Sequence, residues 1–138
     1  MVTLRQTIPA MPVRDTAAAV AFYRERLGFD VVHHDGGFAV LRRDEAVVHL
    51  WEADDEGWRQ RFDPERPICS GAESFIAGTA SCRILVEGVD ELFDELRRQD
   101  VLHPVSTAGP NDTDFGTREF ATTDQDGNLV AFFQWVQA

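Results

Sequence analysis

The side chains able to do chemistry are few and scattered. Four histidines (His33, His34, His49, His103) and two cysteines (Cys69, Cys82) are spread over 138 residues. Three of the histidines sit near turns, where a solvated imidazole is the usual outcome. No Ser/His/Asp or Cys/His order has the spacing of a nucleophile with its base. No glycine-rich loop offers a phosphate cradle, and no carboxylate pair falls on one predicted face. Two cysteines are too few for a disulfide framework and lack the spacing of a metal knuckle.

Composition narrows the partners. Lys plus Arg number 13 and Asp plus Glu 24, a net charge of −11. Such a surface disfavours nucleic acid and anionic membrane. It is compatible with a cationic ligand, and equally with nothing more than solubility. The N-terminus carries no apolar signal segment, and no apolar run approaches the roughly 18 residues of a membrane span. The expectation is a cytoplasmic protein with reduced thiols. With 43% apolar and 10% aromatic residues, the chain can bury a real core in a single domain.

The elements that must position any site are best read from the end of the chain. Gly116 to Phe133 reads as a strand, a tight turn at Asp126-Gly127-Asn128, and a second strand. Such a hairpin needs sheet partners from earlier in the sequence. Ile8 to Val13 is expected to be a first strand; Pro9 and Pro12 confine it to an edge or send it to another subunit. Asp15 or Thr16 caps a helix to about Leu27, with Ala17, Val20, Ala21 and Leu27 on one side, and Gly28 stops it. Phe29 to His33, Phe38 to Arg43 and Ala46 to Glu52 are strands, separated by Asp35-Gly36-Gly37 and Asp44-Glu45.

From Ala53 to Gly78 the pattern breaks, with Trp58, Phe62 and Phe75 scattered among acidic residues, prolines and glycines. One short helix is expected around Glu56 to Phe62. A stretch this long is a lid, a binding loop or a plain linker. Ser81 to Val86 is then a strand, Asp90 caps a helix carrying Leu92, Phe93 and Leu96, Val101 to Val105 is a short strand, and Thr107 to Gly116 is a polar loop. The order strand-helix-strand-strand-strand thus occurs twice.

The chain resembles the vicinal oxygen chelate superfamily: glyoxalase I, extradiol dioxygenases and bleomycin resistance proteins. Pro12-Val13-Arg14-Asp15 with Ala21-Phe22-Tyr23 through Leu27-Gly28-Phe29 carries the resemblance in the first half. Val89-Asp90-Glu91-Leu92, Gly116-Thr117-Arg118-Glu119-Phe120 and Asp124-Gln125-Asp126-Gly127-Asn128 carry it in the second. The last two runs point to the bleomycin resistance group. The resemblance implies an α+β fold of two βαβββ modules whose curled mixed sheets form a cup. Module 1 is about 4–52, the connector 53–78, and module 2 about 79–138. It also implies a homodimer, with the first strand swapped between subunits as in relatives that carry a proline at the Pro9 position.

Enzymes of this superfamily hold a divalent cation at four positions, which fall here on Ile8, His49, Ser81 and Ala131. Ile and Ala offer no lone pair, so neither a metal nor a cofactor is expected. If position 49 faces the cup, period two turns Val47 and Trp51 the same way and Val48 and Leu50 toward the helices. Likewise Arg83 and Leu85 follow position 81, and Leu129, Phe133 and Trp135 follow position 131. The expected ligand-binding residues are Phe38, His49, Trp51, Arg83, Phe115, Phe133 and Trp135. Phe115 stands where the resistance proteins carry a stacking Trp; Arg83 departs from them, since that position is aromatic there. A guanidinium in a cup must be paired, by Glu52 or Glu119, or met by an anionic or carbonyl group of the ligand. Trp51 and Trp135 could equally serve core or dimer packing.

The function expected is that of a metal-free antibiotic-binding protein that sequesters a small aromatic molecule without turnover. The alternatives are a metal-dependent glyoxalase- or dioxygenase-like enzyme using His49, and a dimerisation module whose cup its own side chains fill.

Overall fold

A computed structural model describes residues 1–53, 72 and 76–136. Cys69, Trp58, Phe62, Phe75 and the short helix expected at 56–62 lie outside the described residues. The elements run β1 (Ala10–Val13), α1 (Thr16–Arg26), β2 (Asp30–His34), β3 (Phe38–Arg43) and β4 (Ala46–Glu52). After the connector come β5 (Ser81–Leu85), α2 (Val89–Leu96), β6 (Asn111–Asp112), β7 (Thr117–Thr123) and β8 (Leu129–Trp135). They build two open, mixed four-stranded sheets, ordered β1-β4-β3-β2 and β5-β8-β7-β6. In each sheet the first strand runs parallel to the last, so a helix must cross over between them.

Several elements differ from expectation for identifiable reasons. β1 starts at Ala10 rather than Ile8. Pro9 has no N–H to give a ladder, although its carbonyl still accepts from the His49 N–H at 3.0 Å. The expected strand at 101–105 shrinks to a single bridge, Leu102 to Thr122, because Pro104 opens a 3-10 turn. The loop at 107–116 contains β6, two residues paired with Arg118 and Glu119.

Helix α1 is capped by Asp15, whose carboxylate accepts from the Ala18 N–H at 3.1 Å. Its buried stripe is Thr16, Ala19, Val20 and Tyr23, continued by Leu27; Ala17 is exposed. Gly28 follows at φ +78°, and a Cβ there would press on the Arg43 guanidinium. Asp90 does not cap α2. The cap position is Gly88, and its N–H and that of Val89 donate to Gln134 Oε1 at 3.1 and 2.9 Å. Asp90 instead pairs with Arg118 at 2.9 Å.

Both halves feed one core. Met11, Tyr23, Leu27 and Leu50 from the first meet Val89, Leu96, Phe120 and Phe132 from the second. Among the described residues no helix is long and apolar enough to cross a membrane.

A polar network ties the halves together. Asp124 accepts the Tyr23 hydroxyl and the Asn128 amide on one carboxylate oxygen, and the backbone N–H groups of Asp126 and Asn128 on the other, each at 2.9 Å. Asn128 also donates to the Pro12 carbonyl at 2.8 Å and accepts from the Ala80 N–H at 3.0 Å. One side chain thus ties the outer edge of β1 to the lead-in of β5. Asp126 adds a bond from the Arg14 N–H at 2.9 Å, and Arg43 forks onto Glu95 at 2.8 and 2.9 Å. The approach at Gly78 is so close that any Cβ would overlap the Asp126 carbonyl, and φ there is +89°.

Replacing Asn128 with Ala leaves the buried Pro12 carbonyl and the half-buried Ala80 N–H without this partner. Stability should fall by about 2–4 kcal/mol, and Tyr23→Phe should cost about 1–3 kcal/mol. Urea unfolding midpoints measure both losses; a shift within error for Asn128→Ala would show that the network is not the clamp.

Candidate functional site

Alternation places the expected site residues on the sheet faces that the helices leave uncovered. In β4, Val48 and Leu50 are buried in the core, while Val47, His49 and Trp51 stay half-buried on the other face. Phe38 on β3 lies opposite Trp51 in register. Its ring meets Trp51 at 4.5 Å between centroids and stands edge-on to His49 at 5.1 Å. Phe38, His49 and Trp51 therefore form one continuous aromatic cluster.

A second cluster lies on the other sheet. Arg83 on β5 sets its guanidinium carbon 4.6 Å from the centre of the Phe133 ring. Phe133 in turn meets Trp135 at 5.8 Å, edge to face. Arg83 is answered by Glu119, the second of the two candidates, through a fork at 2.8 and 3.2 Å. Glu119 is set by the Thr117 hydroxyl at 2.8 Å. A cavity of about 230 Å³ opens beside this pair, lined in part by Ser81, Arg83, Asn111, Glu119 and Ala131. Phe115 stands apart, 62% exposed in the turn before β7, and Trp135 is 63% exposed.

The two clusters do not meet within one chain. No ring contact, hydrogen bond or ion pair among the described residues joins Phe38, His49 or Trp51 to Arg83, Phe133 or Trp135. Each sheet presents half of a lining. The sequence reading passed over Asn111 and Thr117. Period two along β7 could have found Thr117, since Thr117, Glu119 and Ala121 oppose Trp135, Phe133 and Ala131. Asn111 needed the pairing of β6, which no local pattern announces.

The donor set does not fit a divalent cation. Of Ile8, His49, Ser81 and Ala131, only His49 and Ser81 carry a donor, and they lie on different sheets. Among the described residues no three His, Cys, Asp or Glu side chains converge on a point. Cys82 faces the core, where burial and then the Asp124 charge push its thiol up to about 11. A thiol with that pKa is a poor nucleophile.

Residues 5–132 match the family model of the Glyoxalase/Bleomycin resistance protein/Dioxygenase superfamily. The chain is 51% identical over 133 residues to bleomycin resistance proteins of Geobacillus stearothermophilus and Staphylococcus aureus, covering 96% of this chain and 98% of theirs. It is similar in structure to the bleomycin-binding protein of bleomycin-producing Streptomyces verticillus, crystallised with copper(II)-bleomycin. That match has a TM-score of 0.69 and 26% identity, and covers 100% of both chains. A lactoylglutathione lyase from Agrobacterium tumefaciens shares the fold, with a TM-score of 0.71 at 19% identity over 94% of this chain and 92% of that one.

Burial alone holds the His49 imidazole below its usual value. A depressed base favours the neutral ring in the fold, so its stabilising contribution is present above the unfolded value of about 6.5. That contribution is lost as pH falls through the lower folded value. An NMR titration of the His49 ring should give a midpoint below 6.5, the ordinary histidine value. A midpoint at or above that value would mean that a carboxylate, rather than the aromatic cluster, governs this side chain.

Proposed function

Since the chain belongs to the glyoxalase/bleomycin resistance protein/dioxygenase superfamily, we propose that it binds bleomycin-type antibiotics and holds them without turnover. The observation that carries this reading is the uncovered aromatic face formed by Phe38, His49 and Trp51. A face of flat rings with one neutral imidazole suits a planar, conjugated group. The acidic surface, with a net charge of −11, draws a cationic drug toward it. Arg83 does not oppose that drug, because Glu119 neutralises it within the cleft.

The cleft is completed by a second copy of the chain. Each sheet supplies half a lining, so two copies placing unlike sheets face to face would make two closed clefts. The stretch before Ala10 supports the pairing. Met1, Val2, Leu4 and Ile8 are exposed apolar residues ahead of a strand whose entry Pro9 marks. β1 itself pairs with β4 of its own chain rather than swapping, so the residues ahead of it are the ones that cross to the partner sheet. Phe115 and Trp135, each more than half exposed, are covered by the drug or by the partner. The protein works in the cytoplasm.

Titration with metal-free bleomycin should quench tryptophan fluorescence saturably, at one drug per chain. Trp51→Ala should weaken binding about 30-fold, the factor lost with a central aromatic anchor. Sedimentation should give a dimer before and after drug. A drug recovered chemically altered, or binding abolished by dialysis against chelator, would point instead to metal-dependent catalysis.

A further inference from the structure

The Arg83 guanidinium is held as a plane. Its fork onto Glu119 fixes the orientation of the group, and Glu119 is itself fixed by Thr117, whose hydroxyl lies 2.7 Å from that of Thr113. Its central carbon lies over the Phe133 ring, 4.6 Å from the ring centre. The side chain remains 45% exposed, beside a cavity open to the uncovered side of the sheet. A guanidinium so held is flat, delocalised and weakly hydrated, and it stacks on planar rings as readily as it pairs with carboxylates. The ion pair leaves the patch close to neutral, where either charge alone would repel ligands of its own sign.

Resting on the binding reading above, we propose that Arg83 is the stacking surface for a planar ligand group in the second sheet's half of the cleft. The Arg83–Glu119 pair sets the site's preference between cationic and anionic ligands. Phe133 backs the platform, and the ligand closes the stack on its open side. Glu119 has two roles: it aligns the plane, and it cancels a charge that would otherwise exclude a cationic drug.

Three single variants test this, Glu119→Gln, Arg83→Gln and Arg83→Lys. Their probes are ethidium, a planar cation, 8-anilinonaphthalene-1-sulfonate, an aromatic anion, and metal-free bleomycin. Glu119→Gln should weaken ethidium about tenfold and strengthen the anion by a similar factor, because an uncompensated positive charge remains. Arg83→Gln should shift the ratio of the two dyes the other way. Arg83→Lys keeps the charge but loses the plane, so it should weaken both dyes about threefold at an unchanged ratio. Opposite shifts for opposite charges cannot come from general damage to the fold. Equal shifts for both dyes in the two Gln variants, no shift, or no dye binding to the wild-type protein would overturn the proposal. The bleomycin arm separates it from the functional reading. If wild-type protein ignores bleomycin while the dyes behave as described, Arg83 keeps this role and the antibiotic is wrong. If bleomycin binds and no variant alters charge preference, the reverse holds.

Discussion

Four donors converge on the Asp124 carboxylate, and the relation between the two halves rests on that convergence. A carboxylate this deep is costly unless every lone pair is met. Burial pushes its pKa up, and the hydrogen bonds from Asn128, Tyr23 and the turn backbone oppose that rise without cancelling it. The Tyr23 hydroxyl is pushed well above its ordinary range by its own burial and then by the Asp124 charge, so it stays a donor. Through Asn128 the same network reaches the Pro12 carbonyl and the Ala80 N–H, which fixes the outer edge of β1 and the lead-in of β5. Little of this network gives way separately, since Tyr23, Asp124 and Asn128 are buried and each is partnered by another.

From that junction the functional geometry follows. Once α1, α2 and the inner faces of both sheets share one core, no helix among the described residues covers the opposite faces. Strand alternation then decides their composition. Phe38, His49 and Trp51 are pushed out by the same pleat that buries Ala39, Val48 and Leu50. An enzyme's hollow needs converging electron-pair donors. These faces offer rings, an imidazole whose charged form burial disfavours, and a charge pair closed on itself.

Much of the scaffold was legible because it is written locally. Asp15 as a cap, Gly28 as a stop and Asp126-Gly127-Asn128 as a turn each act within a few residues. The alternation of β4 and β8 gave the facing of Trp51 and Phe133 for the same reason. Reading failed where a partner distant in sequence replaced a local one. Gln134 caps α2 from across the sheet and frees Asp90 for Arg118. At Pro9 and Pro104 the missing N–H shortened two strands that the apolar pattern alone would have extended.

By itself the sequence determined which faces are apolar, where the chain turns, and which donor atoms are missing at Ile8 and Ala131. These depend on residue type and period alone. Only the tertiary structure decided that Glu119 rather than Glu52 answers Arg83, and that the aromatic residues fall into two separate clusters. It also showed that the Asp124 to Asn128 run joins the two halves as well as turning a hairpin. Those outcomes depend on strand register between segments up to 116 residues apart, from Pro12 to Asn128, and no short-range pattern encodes that register.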